Sequence, residues 1–177
     1  PAAQGVLVLC LGRATKLVER IMDRPKVYRA EARLDVTSES YDSDRPWEKV
    51  EVSRIPGERQ VAEALLRFQG RIEQVPPAVS AVKVGGRASY KLEREGERVA
   101  LQARPAHIYW IHLHRYRWPD VDFEMACGRG TYVRALIRDL GEALGVGGCL
   151  TSLTLTAVGP FRIEDSWKLS QMQDADG

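Results

Sequence analysis

An alternating stretch in the first quarter of the chain constrains its fold more than any other feature. From Val27 to Val36, apolar or small residues and Tyr28 occupy one set of alternate positions, and charged residues occupy the other. A period of two places these sets on opposite faces of a β-strand. The stretch therefore predicts a half-buried strand in a sheet that has one covered face.

Other segments predict the remaining elements. Apolar residues at helical spacing predict two helices, Glu58–Phe68 and Thr131–Leu144. Further apolar runs predict strands at 6–11, 106–118, 121–127 and 150–161. Because strands outnumber helices and follow one another in pairs, the expected fold class is α+β, with a mixed, largely antiparallel central sheet flanked by helices.

The bulk composition favours one domain spanning residues 1–177. The chain has 177 residues, of which 44% are hydrophobic and 28% are charged, and no apolar run is long enough to span a membrane. The three cysteines, Cys10, Cys127 and Cys149, show no CxxC spacing. We therefore expect no disulfide framework or zinc site, a reduced cytoplasmic compartment, and cysteines that act as small buried apolar residues.

The charges are unevenly distributed. Between Arg13 and Arg33 there are seven basic residues and three acids, whereas the stretch from Asp35 to Glu51 has six acids and two basic residues. Either stretch is explained by a solvated surface. The basic one also fits a polyanionic partner.

Arg134 lies at the edge of the apolar stripe of the second predicted helix, in its first turn. An arginine placed there is partly buried and needs a carboxylate or phosphate partner, unless it extends to solvent along the helix surface. Arg138 and Glu142 lie opposite the stripe and are expected to face water.

Aromatic and histidine residues leave further alternatives. Tyr28 belongs to the apolar face of its strand, so it is either a core residue or a ring that stacks on a flat ligand. His112 and His114 share a strand face, with His107 nearby. Because no third ligand occurs at a supportive spacing, we do not expect a metal site.

Five motifs, taken together and in order, resemble those of the bacterial TruB family of tRNA pseudouridine-55 synthases over nearly the whole chain. They lie at 5–16, 26–29, 74–96, 130–141 and 157–161, and include GVLVLCLGRATK, KVYR, QVPPAVSAVK, GTYVR and AVGPF. The resemblance implies the pseudouridine synthase fold and an isomerase that acts on the T-arm of tRNA. It also implies action as a monomer, without a metal, a cofactor or a membrane.

The resemblance assigns a place to the nucleophile. The catalytic motif of the family reads Asp-Pro-x-Ala-x-Gly, and Pro1–Gly5 matches everything after the aspartate. The nucleophile would therefore directly precede Pro1, and a chain that starts at Pro1 is expected to be inactive. Family members also have an upstream strand and a loop with a histidine.

The resemblance further assigns roles residue by residue. Arg134 matches the arginine that pairs with the nucleophile, Tyr28 the ring that stacks on the target base, and Leu153 an apolar residue of the base pocket. The other expected substrate contacts are Tyr132, Lys16, Lys83 and Arg87.

Three departures from the family pattern predict weaker or differently distributed tRNA binding. Leu153-Thr-Leu-Thr156 replaces Leu-Arg-Arg-Thr, and Ser38-Glu-Ser-Tyr-Asp42 replaces Thr-Asp-Thr-x-Asp. No C-terminal RNA-binding domain is visible after Trp167. The alternative function is a non-catalytic module that binds or folds RNA on the same scaffold.

Overall fold

The architecture is seen in a computed structural model, which describes residues 3–77, 80, 83–84, 87–88, 101–168 and 170–171. The strands are β1 (Ala3–Gly5), β2 (Lys26–Arg33), β3 (Val36–Thr37), β4 (Glu48–Lys49), β5 (Gly70–Gln74), β6 (Lys83–Val84), β7 (Arg87–Ala88), β8 (Arg104–Arg117), β9 (Asp120–Cys127), β10 (Cys149–Val158) and β11 (Phe161–Arg162). The α-helices are α1 (Val18–Met22), α2 (Glu58–Leu66) and α3 (Val133–Leu144), and 3-10 helices span Gly12–Leu17 and Ile163–Asp165.

A seven-stranded sheet forms the centre of the molecule. Its strand order is β1-β10-β2-β9-β8-β5, and β11 pairs with β10. Within this described sheet, β1 runs parallel to β10 and the other neighbours are antiparallel. The expected α+β class with a mixed, largely antiparallel sheet is confirmed.

The core lies between one face of this sheet and the helices α2 and α3. Ala30, Ala32 and Leu34, which form part of the predicted apolar face, are 0%, 1% and 0% exposed. Phe123 of β9 and Leu136 of α3 pack in the same cluster. The charged face of β2 lies on the opposite side of the sheet.

A glycine within α3 explains how the helix approaches the chain that leads into β10. A Cβ atom at Gly141 would lie 2.5 Å from the carbonyl oxygen of Gly147, so a larger residue would collide with backbone there. Glycine weakens a helix by about 1 kcal/mol relative to alanine. Here that cost permits close packing of the helix against Gly147.

The prediction of a buried strand at residues 6–11 is wrong. The strand at this place is β1, which ends at Gly5, and Val6 is buried where its N–H donates to the carbonyl of Leu155. Beyond it, Leu7, Leu9 and Leu11 are 80%, 67% and 80% exposed. No described strand pairs with this part of the chain, so its apolar side chains have no covering layer.

Several local predictions can be compared with the described residues. Cys127 and Cys149 are buried as predicted, but Cys10 is only half-buried, and all three are free thiols. Gly85 and Gly86, which the sequence predicts to form a tight turn before the start of a helix, lie outside the described residues. Among the described helices, none has the length and hydropathy needed to cross a membrane.

Candidate active site beside β1 and β10

An open cleft of about 370 Å³ lies beside the only parallel pair of strands in the described sheet. Tyr28, Leu153 and Leu155 line it together with residues 3–6. In the sheet, Leu155 lies opposite Tyr28, and Leu153 lies opposite Ala30. The cleft therefore combines an apolar floor with an aromatic ring, which suits a flat, partly apolar ligand.

Gly5 allows β1 to lie this close to β10. A Cβ atom at this position would be 2.2 Å from the carbonyl oxygen of Leu155, and the backbone has φ +130°. Both the close contact and the dihedral angle exclude other residues without strain. The glycine thus fixes the edge of the cleft.

A smaller recess continues the cleft toward Asp42. Ala3 and Leu153 line both cavities, and Asp42, Leu150 and Ser152 complete the recess. Because Ala3 pairs with Leu153 in a parallel register, the chain entering β1 comes from the Leu150 side of the sheet. Asp42 forms an isolated bridge with Leu150 on that side.

Asp42 is the carboxylate partner of Arg134. Their Oδ2 and Nε atoms are 3.9 Å apart, and the two side chains are 4% and 18% exposed. Arg134 also donates through Nη1 to the carbonyl oxygen of Ser40, at 3.4 Å. The predicted partial burial of Arg134 is confirmed, and of the partners expected for it, a carboxylate or a phosphate, the structure places a carboxylate beside it.

The turn that carries Asp42 is held by its own side chains. The N–H of Ser43 donates to Asp42 Oδ1 at 2.7 Å, and Ser38 Oγ donates to the Asp42 carbonyl at 3.0 Å. Cys149 Sγ lies 3.3 Å from Ser38 Oγ and ties the turn to β10. These bonds aim the carboxylate of Asp42 at α3 rather than at solvent.

The first turn of α3 is anchored by a buried glutamine. Gln74 is 2% exposed, its Nε2 donates to the carbonyl of Tyr132 at 3.2 Å, and its Oε1 accepts from the N–H of Tyr132 at 3.1 Å. Tyr132 is the residue just before the helix, so this pair of bonds fixes where α3 begins. Arg134 follows two residues later and is positioned by the same anchor.

Tyr28 is held in its protonated form. Burial, with a smaller contribution from the neighbouring Cys127, raises its pKa to about 12. Burial also raises the pKa of Cys127 itself, to about 11. At neutral pH the cleft therefore presents a phenol O–H that can donate a hydrogen bond, and the fully buried Cys127 nearby stays a thiol.

The remaining predicted contact residues lie in different surroundings. Lys16 is exposed on the 3-10 helix at Gly12–Leu17. Lys83 and Arg87 belong to the small β6–β7 ladder, where Lys83 pairs with Ala88 and Arg87 with Val84. The structure thus brings Tyr28 and Leu153 together beside the partner of Arg134, whereas Lys16 is not among the residues that line that cleft.

The prediction that Arg138 faces water is wrong. It donates to the carbonyl of Val75 at 3.0 Å, pairs with Asp139 at 2.7 Å and lies 5.7 Å from the centre of the Tyr41 ring. The chain after β5 therefore covers a helix face that the periodicity alone assigned to solvent. Glu142 is exposed as predicted.

The strand histidines lie next to an acid. His114 Nε2 is 3.5 Å from Glu124 Oε2, and His112 lies opposite Glu124 in the ladder between β8 and β9. In the described part of the chain, no three residues among His, Cys, Asp and Glu form a group that could hold a metal ion.

Two residues of this site, Asp42 and Gln74, were not assigned a function from the sequence. Each one stands at the end of a stretch that the family motifs include: Asp42 closes the Ser38–Asp42 turn, and Gln74 opens the Gln74–Lys83 motif. Their positions at the ends of these two stretches were the sequence signal that could have identified them as functional residues. Their partners on α3 lie far along the chain, so periodicity could not have identified them.

Family models match the whole described core. A model described as "TruB family pseudouridylate synthase (N terminal domain)" matches residues 1–133. A second, described as "tRNA pseudouridylate synthase B C-terminal domain", matches residues 134–176.

Curated relatives are longer than this chain. The tRNA pseudouridine synthase B of Phocaeicola vulgatus is 42% identical over 165 residues, which cover 93% of this chain and 70% of the relative. The protein of the same name from Mycobacterium leprae is 43% identical over 183 residues, covering 98% of this chain and 57% of the relative. The chain thus spans somewhat more than half of the second relative.

Solved structures share the fold. In the crystal structure of a Cbf5-Nop10-Gar1 complex, one chain is 29% identical with a TM-score of 0.66, and the match covers 90% of this chain and 38% of that one. A chain of an archaeal box H/ACA sRNP Nop10-Cbf5 complex is 26% identical with a TM-score of 0.60, over 90% of this chain and 36% of the other.

Proposed function

The chain belongs to the TruB family of pseudouridylate synthases, and on that premise we propose that it is the catalytic part of an enzyme that isomerises a T-loop uridine of tRNA to pseudouridine. The observation that carries the proposal is that the cleft beside Tyr28 and a small recess beside Asp42, the partner of Arg134, share Ala3 and Leu153 as lining residues. One apolar wall, one aromatic ring and one cation paired with a carboxylate stand together where the chain enters β1.

The substrate base has to leave its stack to enter this cleft. Enzymes that act on a base inside folded nucleic acid extrude the nucleotide and hold it between aromatic and apolar side chains. Here the uracil would stack on the ring of Tyr28 and contact Leu153, which line the same opening.

The nucleophile is an aspartate directly before Pro1. That position is three residues before Ala3, and an extended chain rises at most about 3.6 Å per residue, so it lies within about 11 Å of Ala3. Since the chain enters β1 from the side of Leu150 and Asp42, a carboxylate placed there approaches Arg134. A guanidinium carries five N–H donors and can hold two carboxylates at once.

The reaction is balanced without any added reagent. The bond between ribose C1′ and uracil N1 breaks, the uracil turns, and a bond forms between C1′ and C5 of the same base. C5 loses its proton to water and N1 gains one, so substrate and product are isomers. The aspartate acts either as a nucleophile that forms a covalent bond with the ribose or the uracil, or as a general base that takes a proton from one of them.

Arg134 and Tyr28 have separate roles in this scheme. Arg134 stabilises the ionised carboxylate and fixes its direction, while Asp42 fixes Arg134. Tyr28, whose pKa of about 12 keeps its hydroxyl protonated, supports the base and assists the proton transfer that ends the reaction.

Release of tritium from tRNA that carries 5-tritiated uridine tests the proposal. A chain with aspartate directly before Pro1 should release about one tritium per tRNA, because one C5–H bond is lost per turnover. The same chain with asparagine there, and the aspartate-bearing chain on tRNA with cytidine at the target position, are the matched controls and should release none.

The alternative function has its own outcome in the same experiment. If the aspartate-bearing chain binds a T-arm hairpin but releases no tritium, the protein is a non-catalytic RNA-binding module and the proposed isomerase activity is wrong. Release from the cytidine-substituted tRNA would instead overturn the choice of the target uridine.

A further inference from the structure

The surface segment from Gly12 to Arg24 carries two different charged faces. Its four basic residues are spaced by three, four and four positions; the first three lie in the 3-10 helix and α1, where this spacing places them on one side, and the fourth lies two residues after α1 ends at Met22. They are Arg13, Lys16, Arg20 and Arg24. Its two acids, Glu19 and Asp23, are four positions apart and lie on the neighbouring side.

Arg129 covers the acidic side of this segment. Its Nη1 atom lies 2.8 Å from Glu19 Oε2 and 3.0 Å from Asp23 Oδ1, although more than 100 residues separate it from both. One guanidinium therefore bridges both acids of the segment. Within the part of the chain that the structure describes, none of the four basic residues forms an ion pair.

These ion pairs contribute little to folding. The Arg129 side chain is 46% exposed and both acids are more exposed still, and pairs of this kind add little net stability because water and salt screen them. No side chain between Gly12 and Met22 is buried. The ion pairs of Arg129 therefore have little effect on the free energy of folding, and their main effect is on the electrostatic potential around the segment.

The same segment is fixed at its end beside the candidate active site. Lys26 Nζ donates to the carbonyls of Met22 and Arg24, which closes α1 against the start of β2. Tyr28 lies two residues further along β2, a rise of about 7 Å. Arg129 itself lies in the loop between β9 and α3, five residues before Arg134.

We propose that Arg129 is a positioning residue that neutralises Glu19 and Asp23, so that Arg13, Lys16, Arg20 and Arg24 present an uninterrupted cationic face to the phosphate backbone of the RNA substrate. The proposal rests on the proposed function, because that function supplies the polynucleotide. Two uncovered carboxylates beside this face would repel phosphates, and ion-pair contacts to phosphate account for much of the affinity in such complexes. Arg129 acts through the acids and does not itself contact the RNA.

A triple substitution tests this role. Binding of a fluorescent T-arm hairpin would be measured by anisotropy in about 100 mM salt for the wild type, Arg129→Ala, Glu19→Gln/Asp23→Asn and the triple variant. Arg129→Ala should weaken binding about tenfold, since it uncovers two negative charges. The double variant should bind at least as well as the wild type, and the triple variant should return to within about twofold of it.

Other outcomes overturn the proposal. A triple variant as weak as Arg129→Ala would mean that Arg129 contacts RNA directly, and full binding by Arg129→Ala would mean that the two acids do not affect the RNA. Arg20→Ala, which removes a cation of the proposed face, should weaken binding equally in the wild-type and double-variant backgrounds. Thermal unfolding should be unchanged in all of these variants, because every altered side chain is exposed.

Tritium release measured in parallel separates this inference from the proposed activity. If the chain with aspartate directly before Pro1 binds the hairpin without releasing tritium, the isomerase proposal fails while the rescue experiment still tests Arg129. If the wild type does not bind the hairpin even at about 50 mM salt, the inference fails as well.

Discussion

The sheet face beneath α2 and α3 and the segment from Leu7 to Met22 both carry many apolar side chains, yet only the first buries them. Leu34 and Phe123 are fully buried in the first region, whereas Leu7, Leu9 and Leu11 are mostly exposed in the second. The strands of the first region have hydrogen-bonded neighbours and a helical layer above them. A run of apolar residues is therefore buried only where other elements cover it.

The two regions are also held together differently. Close packing in the first region couples each side chain to many others, so a single change should affect the whole domain. In the second, described contacts include the exposed ion pairs of Arg129 and the hydrogen bond from the Lys26 side chain to the carbonyl of Met22. Changes there should have small effects on stability and larger, salt-dependent effects on ligand binding.

Phe123→Ala should have the largest effect on stability. The ring is fully buried in the core cluster, and removing it leaves a cavity beneath the helices. We expect a loss of about 4 kcal/mol in the free energy of unfolding, measured by urea denaturation. Phe123→Leu should lose about 1 kcal/mol, because it fills most of the space. Equal losses for both would indicate that shape rather than volume matters at this position.

Arg134→Ala should reduce turnover by at least about 100-fold, or about 2.7 kcal/mol, because the nucleophile and Asp42 would lose their shared cation. Binding of a T-arm hairpin should change by less than about twofold. Arg134→Lys keeps the charge but not the forked donors, so it should retain part of the activity. Turnover that survives Arg134→Ala would show that the role assigned to this residue is wrong.

Gln74→Ala should lower the free energy of unfolding by about 2 kcal/mol. The change leaves the N–H of Tyr132 without its acceptor, whereas the carbonyl keeps its bond from the N–H of Leu136. Because the start of α3 shifts with it, turnover should fall while hairpin binding is retained. Gln69→Ala, at an exposed position, is the control and should leave both properties unchanged.

Much of the fold and part of the candidate site could be predicted from local sequence patterns. The alternation in β2 predicted its buried face, and helical spacing predicted α2, α3 and the partial burial of Arg134. These features depend on residues that are close in sequence, where the period of the side chains decides which face is covered.

What could not be predicted depends on distant segments. Nothing near Arg134 in the sequence identifies Asp42 as its carboxylate, and nothing near Arg138 indicates that Val75 and Tyr41 lie beside it. The run from Val6 was assigned to a buried strand because periodicity does not reveal whether a neighbour pairs with it. Tertiary contacts decided all three cases.

Asp35→Asn should lower stability by about 1 kcal/mol at neutral pH. Hydrogen bonds and charge from Arg33, together with Lys49, lower the pKa of Asp35 to about 2. A carboxyl group whose pKa is lower in the folded state stabilises the fold above its unfolded value near 4 and loses that contribution as the pH falls toward 2. The expected energy is only about 1 kcal/mol because both cationic partners are partly exposed, so that water screens the charges.

The pH dependence of unfolding checks this prediction. The difference between Asp35→Asn and the wild type should be constant above about pH 5 and should disappear near pH 2. Glu63→Gln, which removes an exposed pair with Arg59 on α2, should change stability by less than about 0.5 kcal/mol at any pH. A pH-independent difference for Asp35→Asn would contradict the role of its charge.

Leu9→Ser should have the smallest effect and tests the comparison of the two regions most directly. The side chain is 67% exposed and no described strand lies over it, so the free energy of unfolding should change by less than about 0.5 kcal/mol. Leu34→Ala, at a buried position, should lose between about 2 and 5 kcal/mol under the same conditions. If Leu9→Ser lowered the free energy of unfolding as much as Leu34→Ala, the run from Leu7 to Leu11 would be buried in solution. The two regions would then differ in the elements that bury them and not in whether they are buried.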